Sequence, residues 1–148
     1  MVIEEKNDDF INTEHLIKFL DQNKGVDFLL MNLQDEENIN TLNFKNLKRK
    51  QAEIIVQIKA LQRLIRIIPE NDEAVALSLM QAGIHSALQI AAMTRKDFMG
   101  KCSVLLSDND DLSDAIYKNA LAKRSAILIQ YMNLLQNGEP HMASARFN

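Results

Sequence analysis

The segment from Lys48 to Ile68 constrains the fold of this chain more than any other. Within it Ile54, Ile58, Leu61, Ile65 and Ile68 recur at alternating steps of four and three residues, while Lys59, Gln62, Arg63 and Arg66 fall off that line. Such spacing aligns the apolar side chains along one side of a helix, here about 30 Å long at roughly 1.5 Å per residue. Pro69 ends it, because the residue before a proline is pushed out of helical backbone. The seam is too short for a free coiled coil, so it predicts packing inside a helical body.

A second long helix is expected from Leu112 to about Gln136. Its stripe of Leu121, Leu128, Met132 and Leu135, with Ser125 in the gap, has the same 4-3-4-3 spacing, and Gly138 and Pro140 stop it. Two prolines, four glycines and no Trp leave little material for the turns and aromatic pairs of a β-fold. The fold class read from the sequence is therefore all-α. Two long amphipathic helices frame a cluster of short ones that includes a helix-hairpin-helix-like element.

Local signals divide the rest. Asn12 or Thr13 can cap a helix carrying Leu16, Ile17, Phe19 and Leu20, and Gly25 breaks it. Val26, Leu29, Leu30 and Leu33 repeat like one helical face, whereas the acidic stretch Gln34–Asn40 reads as a loop. Ile39, Leu42, Phe44 and Leu47 supply anchors in an irregular segment. Asn71 or Asp72 caps a helix over Glu73–Ala82, with Gly83 as its left-handed stop. Ser86 starts a short helix with Leu88, Ile90 and Ala91, and the Thr94–Asp97 pair resembles a capping box for another through Phe98 and Met99. Residues 107–111 form an acidic hinge suited to a helix N-terminus. The expected layout is a flexible N-terminus over 1–11, one helical domain over 12–137, and a disordered tail over 138–148. The tail's His-Met-Ala-Ser run has the character of a cloning-vector remnant.

The charge of −3 disfavours a dedicated nucleic-acid binder, which carries a basic surplus. A single cysteine, Cys102, excludes an internal disulfide and makes a cytosolic origin the default expectation. No signal peptide opens the chain and no apolar run reaches the roughly 18–20 residues of a membrane span. Export without a cleavable signal stays open. His15, His85 and His141 are scattered, so neither a zinc site nor any other metal or cofactor is expected. Asp108, Asn109, Asp110 and Asp111 hint at a calcium loop, but the sixth and twelfth positions hold Ser113 and Asn119 instead of Gly and Glu. Cys102 reads as a small buried hydrophobe. Phosphate loops, nucleophile elbows and zinc-protease motifs are absent. The chain is expected not to be an enzyme.

Two features could bind. Leu79–Ala91 has the rhythm of a helix-hairpin-helix, whose backbone amides can grip DNA phosphates. It holds only Gly83 where two close glycines are usual, so a structural hairpin built on Gly83, Ile84, Ser86, Leu88 and Ile90 is the better reading. Nucleic-acid binding is the alternative, with Arg95, Lys96 and Lys101 as its bases. The other feature is the basic face of Lys48, Arg49, Lys50, Lys59, Arg63 and Arg66, which could dock an acidic partner. Lys59, Arg63, Arg66, Arg95 and Lys96 are the candidate partner-binding residues.

Leu61-Gln-Arg-Leu-Ile-Arg-Ile67, Met80-Gln-Ala-Gly-Ile-His-Ser-Ala-Leu-Gln-Ile-Ala91 and Phe98 follow one another in an order that resembles a known segment. It is the helical N-terminal region shared by the A subunits of bacterial insecticidal Tc toxins and the Salmonella virulence-plasmid A protein family. Asn40-Thr-Leu-Asn-Phe44, Ala115-Ile-Tyr-Lys-Asn-Ala120, Lys123-Arg124 and Tyr131 extend the likeness, which covers roughly residues 39–135. The resemblance implies a non-catalytic part of a helical shell in a large, pentameric translocation device. This chain lacks the pore helix and receptor-binding parts of that pattern, so pore formation does not carry over. What is implied is a scaffold or adaptor whose partner is a toxin or secretion component, with oligomerisation open.

Overall fold

The computed structural model describes residues 12–137; the expectations for 1–11 and 138–148 lie outside them. The described residues are mostly helical and contain no strand. In chain order the α-helices are α1 (Glu14–Gln22), α2 (Glu36–Asn40), α3 (Gln51–Ile65), α4 (Glu73–Gln81), α5 (Ala87–Ala92), α6 (Arg95–Leu105) and α7 (Asp110–Asn137). A 3₁₀ turn, Lys48–Lys50, leads into α3.

The centre of the body is α3. All five seam residues, Ile54, Ile58, Leu61, Ile65 and Ile68, are buried, and so are Ala60, Leu64 and Ile67. The α-helix stops at Ile65, three residues short of the expected end, and the chain turns through Ile68 into Pro69. It is buried on more than one side because α1 and α4 both pack against it. Phe19 of α1 meets Phe28 and Phe44 at ring-centre distances of 5.8 and 4.7 Å, closing the core over the N-terminal end.

The helix expected over Val26–Leu33 does not form; the backbone there is a run of turns, with Leu30 exposed. Local polar side chains outcompete the helical pattern. Asp27 and Asn32 carboxyl and amide oxygens each accept from the backbone N–H two residues on, at 3.0 Å. Gln62, which its sequence position set off the seam, is buried and donates its carboxamide to the carbonyls of Phe28 and Met31. Those carbonyls are thereby held in a loop geometry. The Gln34–Asn40 stretch, expected as a loop, instead contains α2, because Asp35 caps it by accepting from Glu37 N–H at 2.9 Å.

Helix α4 is capped by Asp72, whose carboxylate accepts from Ala74 and Val75, and it ends in a Schellman turn. Ile84 N–H donates to Leu79 and Gly83 N–H to Met80, both at 2.9 Å, with Gly83 at φ +89°. Ser86 caps α5 and Thr94 caps α6, each through its hydroxyl. Helix α6 runs on to Leu105, past the short element expected through Met99. At the acidic hinge it is Asn109 that caps α7, accepting from Leu112 N–H at 3.1 Å.

Helix α7 packs on α5 and α6, burying Ser113, Ile116, Tyr117 and Ala120. Tyr117 stacks near Phe98 at 5.7 Å and donates its hydroxyl to Met93 carbonyl at 2.8 Å. Beyond Leu121 the body runs out. Leu128, Met132 and Leu135 of the second stripe are all more than half exposed.

Candidate functional site

Two adjoining cavities share Arg63 and Arg66 as a common wall. One, of about 470 Å³, lies between α3 and the turns Leu30–Gln34 and is lined by Lys59, Gln62, Arg63 and Arg66. The other, of about 240 Å³, lies between α3, the start of α5 and α7, and is lined by Arg63, Arg66, Ser86, Ala87, Leu88, Lys123 and Ile127. Together they make a groove with four cations.

The groove arises from local causes. Lys59, Arg63 and Arg66 are three and four residues apart, which places them along one side of α3 and its C-terminal turn. The loop opposite is held by the Gln62 carboxamide, and Arg66 Nη2 donates to the Leu29 carbonyl at 3.4 Å across the gap. From α7, Lys123 arrives one residue before Arg124, whose Nη1 donates to the Ala91 carbonyl at 3.2 Å and ties the helix to α5. Among the described residues, none of the four groove cations is within ion-pair distance of a carboxylate. Concentrated like charge with no internal counter-ion raises the local potential and favours an anionic partner.

The positive field is felt next door. His85 is held below the ordinary imidazole value, first by burial and then by the charge of Arg63. A further cavity, about 410 Å³, is lined by both signs of charge, Lys18, Asp21, Lys24 and Glu73, and two of its lysines are already paired. It lacks the one-sided charge of the groove.

Three of the five candidate partner-binding residues therefore converge: Lys59, Arg63 and Arg66. Arg95 does not join them, because its Nε and Nη2 both donate to one Asp114 oxygen, at 3.1 and 2.8 Å. Lys96 is exposed beside it on α6, outside both cavities. Lys123 is the residue that sequence reasoning missed. It lies 57 positions beyond Arg66 in the chain, so no local spacing could join it to that face.

The Arg95 contact and Lys118, 2.9 Å away, hold the Asp114 carboxyl below its ordinary 3.8. The folded chain thus takes up this proton at lower pH than the unfolded chain. Its stabilising contribution is complete above about pH 4 and is lost as the pH falls through the depressed folded value. Asp114→Asn should melt slightly below the parent at neutral pH, and thermal scans across the acid range should show that gap closing. A gap that persisted unchanged at low pH would remove this ion pair as its source.

Three of the hairpin's backbone amides are spent on folding. Gly83 and Ile84 amides serve the Schellman turn, His85 N–H donates to the Gln89 carboxamide at 3.0 Å, and Gln89 returns a bond to Gly83 carbonyl at 2.7 Å. Amides engaged in this way cannot also grip a phosphate. Ile84 and Ile90 are buried, whereas Leu88 turns outward into the smaller cavity. Cys102 is fully buried, and burial pushes its thiol up despite opposing pulls from Ser113 and Lys101. That disfavours the reactive thiolate. Among the described residues no three His, Cys, Asp or Glu side chains gather as a metal would require, and no helix is long and apolar enough to cross a membrane.

No protein-family model matches the chain, and neither does any curated protein or solved structure.

Proposed function

We propose that this chain is a non-catalytic helical adaptor that works by protein–protein contact, docking an acidic segment of its partner in the groove of Lys59, Arg63, Arg66 and Lys123. The observation that carries this reading is the convergence of four cations from two distant helices on one groove, with no carboxylate among the described residues to neutralise them. The groove is flanked by apolar Leu30, Leu88 and Ile127, which suits a peptide carrying apolar as well as acidic side chains. Helix α3 at the centre of the body and α7 packed on α5 and α6 supply a stiff support for the groove. The toxin context, in which the adaptor would serve assembly, translocation or delivery of a secreted Tc-like toxin, rests on the resemblance over residues 39–135.

Titration calorimetry with a ten-residue poly-glutamate peptide tests the groove. Binding is expected at low salt and should weaken at least about tenfold in Arg63→Glu/Arg66→Glu, since each reversal replaces attraction by repulsion. Both positions are exposed, so the melting temperature should stay near the parent's. No binding by the parent, or equal binding by the variant, refutes the reading. A DNA duplex that bound more tightly than the peptide, and that lost affinity on Arg95→Glu/Lys96→Glu/Lys101→Glu, would favour the nucleic-acid alternative.

A further inference from the structure

The smaller of the two cavities sorts its lining by chemistry. Arg63 and Arg66 make its cationic wall, and Ala87 and Leu88 at the start of α5 make an apolar one. Helix α7 contributes one residue of each kind, Lys123 and, four residues on, Ile127. Side chains at that spacing stand about 5–6 Å apart at Cβ. Leu88 is 47% exposed, so its apolar side chain is open to an incoming group. Ser86 accepts from Gln89 N–H at 3.1 Å and keeps its own hydroxyl proton to donate. A group that satisfies this lining brings a negative charge and an apolar body into the same small space.

The volume decides how large that group is. About 240 Å³ falls below the roughly 300–1,000 Å³ of pockets that enclose a drug-sized molecule, so the cavity suits about one amino-acid residue. A glutamate or aspartate side chain brings the charge but little apolar surface. Neighbouring side chains of an extended strand point to opposite sides, so an acidic residue and the apolar one beside it do not both enter. A single residue joins an anion to a full apolar side chain where a polypeptide ends.

We infer that the smaller cavity holds the C-terminal residue of the partner, an aliphatic one of about leucine's size. Its free carboxylate lies between Arg63, Arg66 and Lys123, and its side chain lies against Leu88 and Ile127. Paired guanidinium forks match the two oxygens of a carboxylate. The acidic residues that precede it occupy the larger cavity, where Lys59 joins the shared arginines. The inference rests on the proposed docking of an acidic segment and adds which end of that segment enters and what it ends in.

Titration calorimetry with N-acetylated peptides tests it. Seven glutamates followed by leucine with a free carboxylate carry the same charge as eight glutamates ending in an amide. The leucine peptide should bind at least about tenfold tighter, at the low end of what burying a leucine side chain gives. Leu88→Ser and Lys123→Gln should each bring the two peptides close to parity. Lys59→Gln, which lines only the larger cavity, should weaken both alike and keep their ratio. Leu88 and Lys123 are exposed, so both variants should keep the parent's helical circular dichroism. Parity of the two peptides on the parent overturns this inference while leaving the basic groove standing; binding of neither removes both. Equal affinity when the leucine is moved to the first position, or when its carboxylate is amidated, also overturns it. N-acetyl-leucine binding as tightly as the peptide would make the occupant a small free acid and overturn the C-terminal assignment.

Discussion

Leu61→Asp should abolish cooperative folding. Leu61 lies at the middle of α3 and is completely buried, with seam neighbours Ile58 and Ile65 buried beside it. Truncating such a leucine alone removes about 2–5 kcal/mol. A carboxylate at that position adds the desolvation of a charge, or the shift needed to keep it protonated, with no cation on the seam to meet it. The combined loss is comparable to the roughly 5–15 kcal/mol that stabilises an ordinary domain. Thermal scans by circular dichroism should show no sigmoidal transition. A parent-like melt would mean that the register of α3 is wrong. Lys59→Ala, two residues earlier and on the groove side, is the matching control and should melt near the parent.

The second large effect is expected at Gln62. Its buried carboxamide donates to the Phe28 and Met31 carbonyls and is the main tie between α3 and the turn-rich segment. Gln62→Leu keeps the bulk and deletes both donors, leaving two carbonyls short of a partner, at about 1–3 kcal/mol each where water cannot reach them. A drop in melting temperature on the order of 10 °C follows for a chain of this size. Amide exchange should accelerate over residues 28–34, while α5 to α7 stay protected. Because that segment forms one wall of the basic groove, peptide affinity should fall even though every groove cation is retained. Unchanged exchange across residues 28–34 would show that something else holds the loop.

These two neighbours in sequence show what periodicity conveys and what it hides. The apolar seam of α3 was legible because its residues answer to one variable, distance from water, sampled at the helical period. Asp72, Ser86 and Thr94 were legible as caps because a cap is a bond between a side chain and an amide two or three residues away. Gly83 was legible for the same reason, since a left-handed residue after a helix is a local backbone event. Gln62 was not, because its partners lie 34 and 31 positions earlier. Val26, Leu29, Leu30 and Leu33 have helical spacing, yet Asx turns at Asp27 and Asn32 together with that remote glutamine hold them as turns.

The groove divides in the same way. Lys59, Arg63 and Arg66 share a helix side, so spacing joins them. Arg95 looked equally available in the sequence until Asp114, 19 positions on, was found to occupy it. Lys123 enters only because α7 packs back across α5.

The sequence by itself determined the longer helices, most of their caps and the apolar seam of α3, because those depend on interactions within a few residues. Only the tertiary structure decided which faces found cover. The seam of α3 and the stripe of α7 have the same spacing, but α3 is surrounded by other elements and α7 outruns them. Burial is set by what lies opposite, and a helix's own sequence holds no record of that.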